Sequence, residues 1–201
     1  DGWTTLGAMA QATRRIRLGP LVASNTFRHP AILAKLAATL DHLSGGRAEC
    51  GMGAGWFELE HTSLGITFPS VGERLRALDE AVQIVRALWT RDSVDFDGRY
   101  YQLKGAVAEP KPVQRPGPPI VIGAFGDKIG LRNAARHADH WNVYCAPDLY
   151  RQKCETLRRH CADAGRDPAS ILRSVMIPVY LEESAEVRAK IERCWGAKRG
   201  E

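Results

Sequence analysis

The feature that most constrains this chain is a repeated switch of periodicity. Five times, a short run apolar on both sides gives way to a longer segment with apolar residues at helical spacing. The runs are "IRLGPLVAS" (Ile16–Ser24), "RAECGMGA" (Arg47–Ala54), "PPIVIGAFG" (Pro118–Gly126), "DHWNVY" (Asp139–Tyr144) and "LRSVMIPVYL" (Leu172–Leu181). A strand apolar on both faces must be covered on both faces. Strands that alternate with helices therefore predict a parallel sheet with helices outside it.

The helices carry their own punctuation. Residues 3–14 read as a helix end. Pro30 opens the next helix at its first turn, with Ile32, Leu33, Leu36, Ala37, Leu40 and Leu43 on one stripe, and Gly45-Gly46 closes it. A long loop is expected through "ELEHTSLGITFPS". Ser70 and Glu73 then form a capping box before a helix marked by Val71, Leu75, Leu78, Val82, Val85 and Trp89. Further helices are expected over 127–138, over 148–165 with Gly165 as its stop, and over 184–195. Ser184 caps the last, where Val187 denies a full capping box.

Residues 91–119 break the rhythm. "DSVDFDGRYYQLKG" alternates around an Asp97-Gly98 turn signal, and "EPKPVQRPGPP" is extended. We read this stretch as an excursion from the main sheet inside one domain spanning 1–201. The chain begins at Asp1 inside what reads as a helix, which points to a longer parent.

Composition excludes several classes. No apolar run spans a bilayer, and no basic-then-apolar leader is visible. The net charge of +5 comes mainly from arginines scattered among acids, not a basic face interleaved with aromatics, so no nucleic-acid partner is expected. Five cysteines without paired spacing argue against a disulfide framework and for a reducing cytoplasm. Cys154 and Cys161 share a helix face and suit core packing better than a metal, so no metal site is expected.

Parallel strands with helical crossovers either close into a barrel or stay open and doubly wound. Neither "GMGAGW" (Gly51–Trp56) nor "GAFGDK" (Gly123–Lys128) has the glycine spacing of a dinucleotide fingerprint. A (β/α)8 barrel usually needs about 250 residues, so five units would be an incomplete one.

Longer stretches carry a resemblance. "ATLDHLSGGRAECGMGAGWFELEHTSLGITFPSVGERLRALDEAVQIVRALW" and "FDGRYYQLKGAVAEPKPVQRPGPPIVIGAFGDKIGLRNAARHADHWN" resemble the bacterial-luciferase-like flavin and deazaflavin oxidoreductases. "RRHCADAGRDPASI" is similar to a subgroup of probable F420-dependent oxidoreductases. The resemblance implies an α/β TIM-type (β/α)8 barrel, here incomplete, holding about strands three to seven and the excursion. It implies coenzyme F420, with FMN as the alternative cofactor. The expected reaction is hydride transfer between reduced F420 and a small organic substrate. Two readings stay open beside it: an FMN-dependent two-component monooxygenase, and a non-catalytic barrel piece that only binds or assembles. A flavin or F420 reductase and a homodimer are the expected protein partners.

Barrel enzymes of this type work at the C-terminal ends of their strands. Ala23, Ser24 and Asn25 fall where the family often has a bulge against the cofactor's central ring. Asn25 or Thr26 could bond the ring's pyrimidine edge or simply form the turn. His29 before Pro30 reads as structural. Gly53, Ala54 and Gly55, with Gly51, would admit a flat ring or only tight packing. Trp56 and Phe57 would wall a pocket or pack a loop. Glu58 and Glu60 are the candidate catalytic proton donors, against a default of solvated loop acids. Gly123, Ala124, Phe125 and Gly126 would cradle a phosphate with their backbone N–H groups, helped by Lys128. Trp141 beside Asn142 favours core packing. Arg74 favours a surface ion pair over a phosphate contact.

Overall fold

A computed structural model describes residues 1–177, 179, 181 and 184–196, with side chains through residue 190. Seven helices and seven strands appear among the described residues. In chain order they are α1 (Gly2–Ala12), β1 (Ala23–Ser24), α2 (Pro30–Ser44), β2 (Cys50–Gly53), α3 (Glu58–Ser63), α4 (Val71–Thr90), β3 (Val94–Asp97) and β4 (Gln102–Ala106). Then come β5 (Ile120–Gly123), α5 (Gly130–His137), β6 (His140–Tyr144), α6 (Pro147–Asp163), β7 (Leu172–Met176) and α7 (Ala185–Gly196).

The main sheet is parallel, in the order β1-β2-β5-β6-β7. The order rises without reversal. A doubly wound sheet must reverse at a switch point; a steadily rising order is that of a barrel wall. The wall stays open, with β1 and β7 as its edges. β3 and β4 pair antiparallel in a separate two-stranded sheet.

Side chains alternate along each strand. Cys50 and Met52, Ile120 and Ile122, and Trp141 and Val143 are all buried, and they share one cluster with Leu33, Leu78, Val82, Ile84, Leu131 and Leu157 from the helices. Burial pushes the Cys50 thiol up to about 12, which leaves it inert. Cys154 and Cys161 are buried in the same core, as their spacing implied. No group able to hold a metal occurs among the described residues, and no described helix is long and apolar enough to cross a membrane.

The local signals that held are those with a side-chain mechanism. Pro30 stands at the start of α2, and Gly45 ends it with φ of 63°. Ser70 and Glu73 bond each other's backbone N–H groups in a complete capping box. Ser184 Oγ accepts from Val187 N at 3.3 Å.

Several boundaries differ. The Ile16–Ser24 run pairs only at Ala23–Ser24 and through a Leu18–Ala48 bridge. Pro20 has no N–H for the ladder, and the Leu21–Val22 peptide is cis. Part of the expected loop after β2 is α3, six residues long with no side-chain cap. α5 starts at Gly130, not residue 127, because the chain first turns through 127–129 and Leu131 N reaches back to Gly126 O at 2.9 Å. β7 ends at Met176; the rest of the expected strand, to Leu181, includes Pro178 and Tyr180, outside the described residues. The Asp97-Gly98 signal does mark a hairpin, but Asp97 pairs with Gln102 across a four-residue loop. Glu80 on α4 holds that loop by accepting the N–H groups of Arg99, Tyr100 and Tyr101.

Candidate functional site at the strand mouth

All five wall strands run the same way, so their C-terminal ends form one rim. β2 and β5 are neighbours, with Met52 opposite Ile122. One step further along, Gly53 and Gly123 lie side by side: a Cβ built on Gly53 would be 3.9 Å from the Gly123 carbonyl oxygen. The turns "GMGAGW" and "GAFGDK" therefore leave the sheet together and can touch one ligand.

The glycines make room first for the chain itself. A Cβ on Gly53 would come within 2.5 Å of Val22 Cγ2, and one on Gly123 within 3.0 Å. A Cβ on Gly51 would be 3.2 Å from Val22 Cγ1. Val22 thus lies over the glycine floor just below the rim. No sequence pattern singled it out.

Ser24 pairs opposite Gly53 at the end of β1. Its Oγ contacts Thr26 Oγ1 at 2.6 Å, and Thr26 Oγ1 contacts His61 Nε2 at 2.6 Å. Gly55, at φ 76°, lies over this pair, where a Cβ would be 2.5 Å from Ser24 Oγ. Asn25 turns away from the rim. With its amide oriented to satisfy both partners, it donates to Gly53 O and accepts from Leu78 N, each at 3.1 Å. It ties β1, β2 and α4 together. His29 accepts from Ala31 N at 3.2 Å and caps α2.

Beyond Ala54, the rim presents apolar surface. Trp56 is 83% exposed, with its ring 5.3 Å from that of Phe57, so the pair is no packed loop core. Glu58 and Glu60 follow, both exposed, in the first turn of α3.

At β5, the Ala124 N–H bonds Asn142 O at 3.1 Å, and Trp141 Nε1 donates to Ala124 O at 2.8 Å. Trp141 is fully buried and stacks on Tyr150 of α6, so it packs the core and also steadies this turn. Two groups from α6 hold the turn from behind. Buried Lys153 bonds Asp127 Oδ1 at 2.8 Å and sits 4.2 Å over the Phe125 ring; His160 Nε2 donates to Asp127 O at 2.7 Å. Lys128, the cation the sequence suggests for this turn, is exposed, whereas Lys153 lies 26 positions from its partner and no local signal points to it.

Arg74 departs from the expected surface ion pair. It is 6% exposed, with its guanidinium 3.7 Å from the Phe68 ring centroid and bonded to Pro69 O. Burial lowers its pKa, partly offset by the charge of Glu58. Beside it, a cleft of about 500 Å³ opens among Thr26, His29, Arg74, Tyr100 and Tyr101.

A parallel wall whose strand order rises without reversal defines an α/β-barrel protein, a class whose ligand sites are at the strand C-termini. Residues 1–199 match the luciferase-like monooxygenase family, and the chain belongs to it. Among relatives, the F420-dependent glucose-6-phosphate dehydrogenase of Nocardia farcinica is 36% identical over 196 residues, 94% of this chain and 57% of the relative. The coenzyme F420-dependent tetrahydromethanopterin reductase of Methanopyrus kandleri superposes with a TM-score of 0.79 at 27% identity, covering 87% of this chain and 53% of that one. The monooxygenase RslO1 of Streptomyces bottropensis superposes at 0.77 with 28% identity, covering 96% of this chain and 59% of that one. The chain thus spans little more than half the length of these proteins.

Proposed function

We propose that this chain is the cofactor-holding part of an F420-dependent oxidoreductase that moves a hydride between reduced F420 and a small organic substrate. The observation that carries the proposal is the meeting of Gly53 and Gly123 on adjacent strand ends, with Ser24 at one side and the Gly123–Gly126 turn at the other. A flat ring with an anionic tail fits such a rim. Val22, seated over Gly53 and Gly123, would give the ring face a small apolar surface, while the β5 turn offers backbone N–H groups to a phosphate.

When bound, F420 supplies the hydride. The chain's own residues supply position and protons. Ala23, Ser24, Gly53, Ala54 and Gly55 would border the ring, with the exposed Trp56 side chain available beside it to exclude water. In the Gly123–Gly126 turn, Phe125 and Gly126 would offer their N–H groups to the phosphate, Ala124 N–H being held by Asn142 O, with Lys153 balancing the charge of Asp127 behind the turn. Reducing a carbonyl also needs a proton at its oxygen. Glu58 or Glu60 delivers it as the carboxylic acid and is left as the carboxylate. The relatives' names support F420; the likeness to RslO1 supports the second reading, an FMN-dependent monooxygenase.

Fluorescence titration of the purified chain with F420 and with FMN tests the proposal. Saturable F420 binding, weakened by Gly123→Val, is the expected result. FMN binding alone would favour the monooxygenase, and binding of neither would overturn both readings.

A further inference from the structure

The hydroxyl pair behind the rim has a direction, and His61 sets it. His61 is 1% exposed and lies between two aromatic rings, its centroid 4.5 Å from that of Phe27 and 4.6 Å from that of Phe68. Its Nδ1 is 2.8 Å from the Phe57 carbonyl oxygen. A carbonyl oxygen only accepts, so Nδ1 carries a hydrogen. In the neutral ring, Nε2 is then bare and must accept. Its partner at 2.6 Å is Thr26 Oγ1, which therefore gives its single hydrogen to His61. With that hydrogen spent, Thr26 Oγ1 can only accept from Ser24 Oγ, also at 2.6 Å. Ser24 spends its hydrogen in turn. It also accepts the Thr26 N–H at 3.4 Å, which leaves one lone pair over.

We infer that the Ser24–Thr26–His61–Phe57 relay fixes Ser24 Oγ as a pure hydrogen-bond acceptor at the rim, selecting a ligand edge that presents an N–H there. The inference rests on the proposed ring site and deepens it. The pyrimidine part of a flavin or deazaflavin carries one imide N–H between two carbonyl groups. Against a committed acceptor, the N–H is attracted and either carbonyl is repelled. The relay therefore sets the ring's register along β1 rather than merely its presence. His61 and Thr26 are positioning residues that act through Ser24. Gly55 is part of the device, since any side chain there would displace Ser24 Oγ.

Two measurements on the full chain test this. The first is 15N NMR of labelled histidine, which reads the His61 tautomer without any ligand. The hydrogen is expected on Nδ1; a hydrogen on Nε2, or on both nitrogens, reverses or breaks the relay and overturns the inference. The second compares F420, and FMN beside it, each with its N3-methylated analogue. Wild type is expected to prefer the unmethylated cofactor it binds about tenfold, the effect of one hydrogen bond lost at a half-buried acceptor. Thr26→Val is expected to cut that preference to about twofold, since Ser24 could then turn its own hydrogen outward, and Thr26→Ser to restore it. An unchanged preference in Thr26→Val would refute the relay while the ring site stands. Failure of wild type to bind F420, FMN or either methylated analogue would refute the ring site, with the tautomer still deciding the relay's direction.

Discussion

The two faces of the same five strands obey different rules. On the helix side, Met52, Ile120, Ile122 and Trp141 are fully buried, and their neighbours are the apolar stripes of α2, α4, α5 and α6. On the inner side, the alternate positions include buried Val121 and half-buried His140, but toward the rim they become Gly53, Gly123, Asn142 and Ser174, small or polar, with Val22 laid across the glycines. One strand thus serves two ends one residue apart. The helix side supplies folding free energy through buried apolar area. The inner side gives up part of that gain at its glycines, which let Val22 pack close against β2 and β5.

A substitution on each face should therefore read out differently. The largest stability effect is expected from Ile122→Ala, which empties a fully buried site on the helix side. Chemical denaturation should show a loss of about 2–5 kcal/mol. Gly53→Ala, one position further along, is expected to cost about 1–3 kcal/mol because its Cβ meets Val22 at 2.5 Å. That cost is a clash and not a cavity, so Val22→Ala in the same chain should recover most of it. If the double variant is as unstable as the sum of the singles, Val22 is not what the glycine accommodates.

Local order was legible where a single residue type enforces it. Pro30, the Gly45-Gly46 stop and the Ser70–Glu73 box were readable because each acts within three or four positions. Ser70→Ala should accordingly cost about 0.5–2 kcal/mol at the start of α4, read by the same denaturation midpoint. The helix side was readable too, since its burial imposes a pattern. The rim was only half legible. Glycines announced a close approach, but not that Val22 is what approaches. α3 was missed because "ELEHTS" has no side-chain cap and too few residues to show a period. Lys153 and the His61 relay were invisible for a different reason: their partners are 26 and 35 positions away, and only the fold brings them together.

The smallest effect tests whether charge as well as apolar area holds the helix layer. Asp79 on α4 bonds His137 Nε2 at 2.9 Å and Arg136 Nη1 at 3.1 Å, both on α5, and accepts from Gln83 at 3.0 Å. Burial alone would raise its carboxyl, but His137, Arg136 and Arg132 together outweigh burial and hold it below the ordinary 3.8. A carboxylate whose folded value is depressed binds its proton less readily than in the unfolded chain. Its contribution is complete above the unfolded value, near 3.8, and is lost as pH falls through the lower folded value. Wild type should thus lose stability below about pH 4 more steeply than Asp79→Asn, whose amide does not titrate. Near pH 7 the variant should be weaker by no more than about 1 kcal/mol, as for a pair partly open to water. Parallel acid limbs in the two proteins would mean that the α4–α5 contact rests on apolar packing alone, and the contrast between the faces would then be purely one of area.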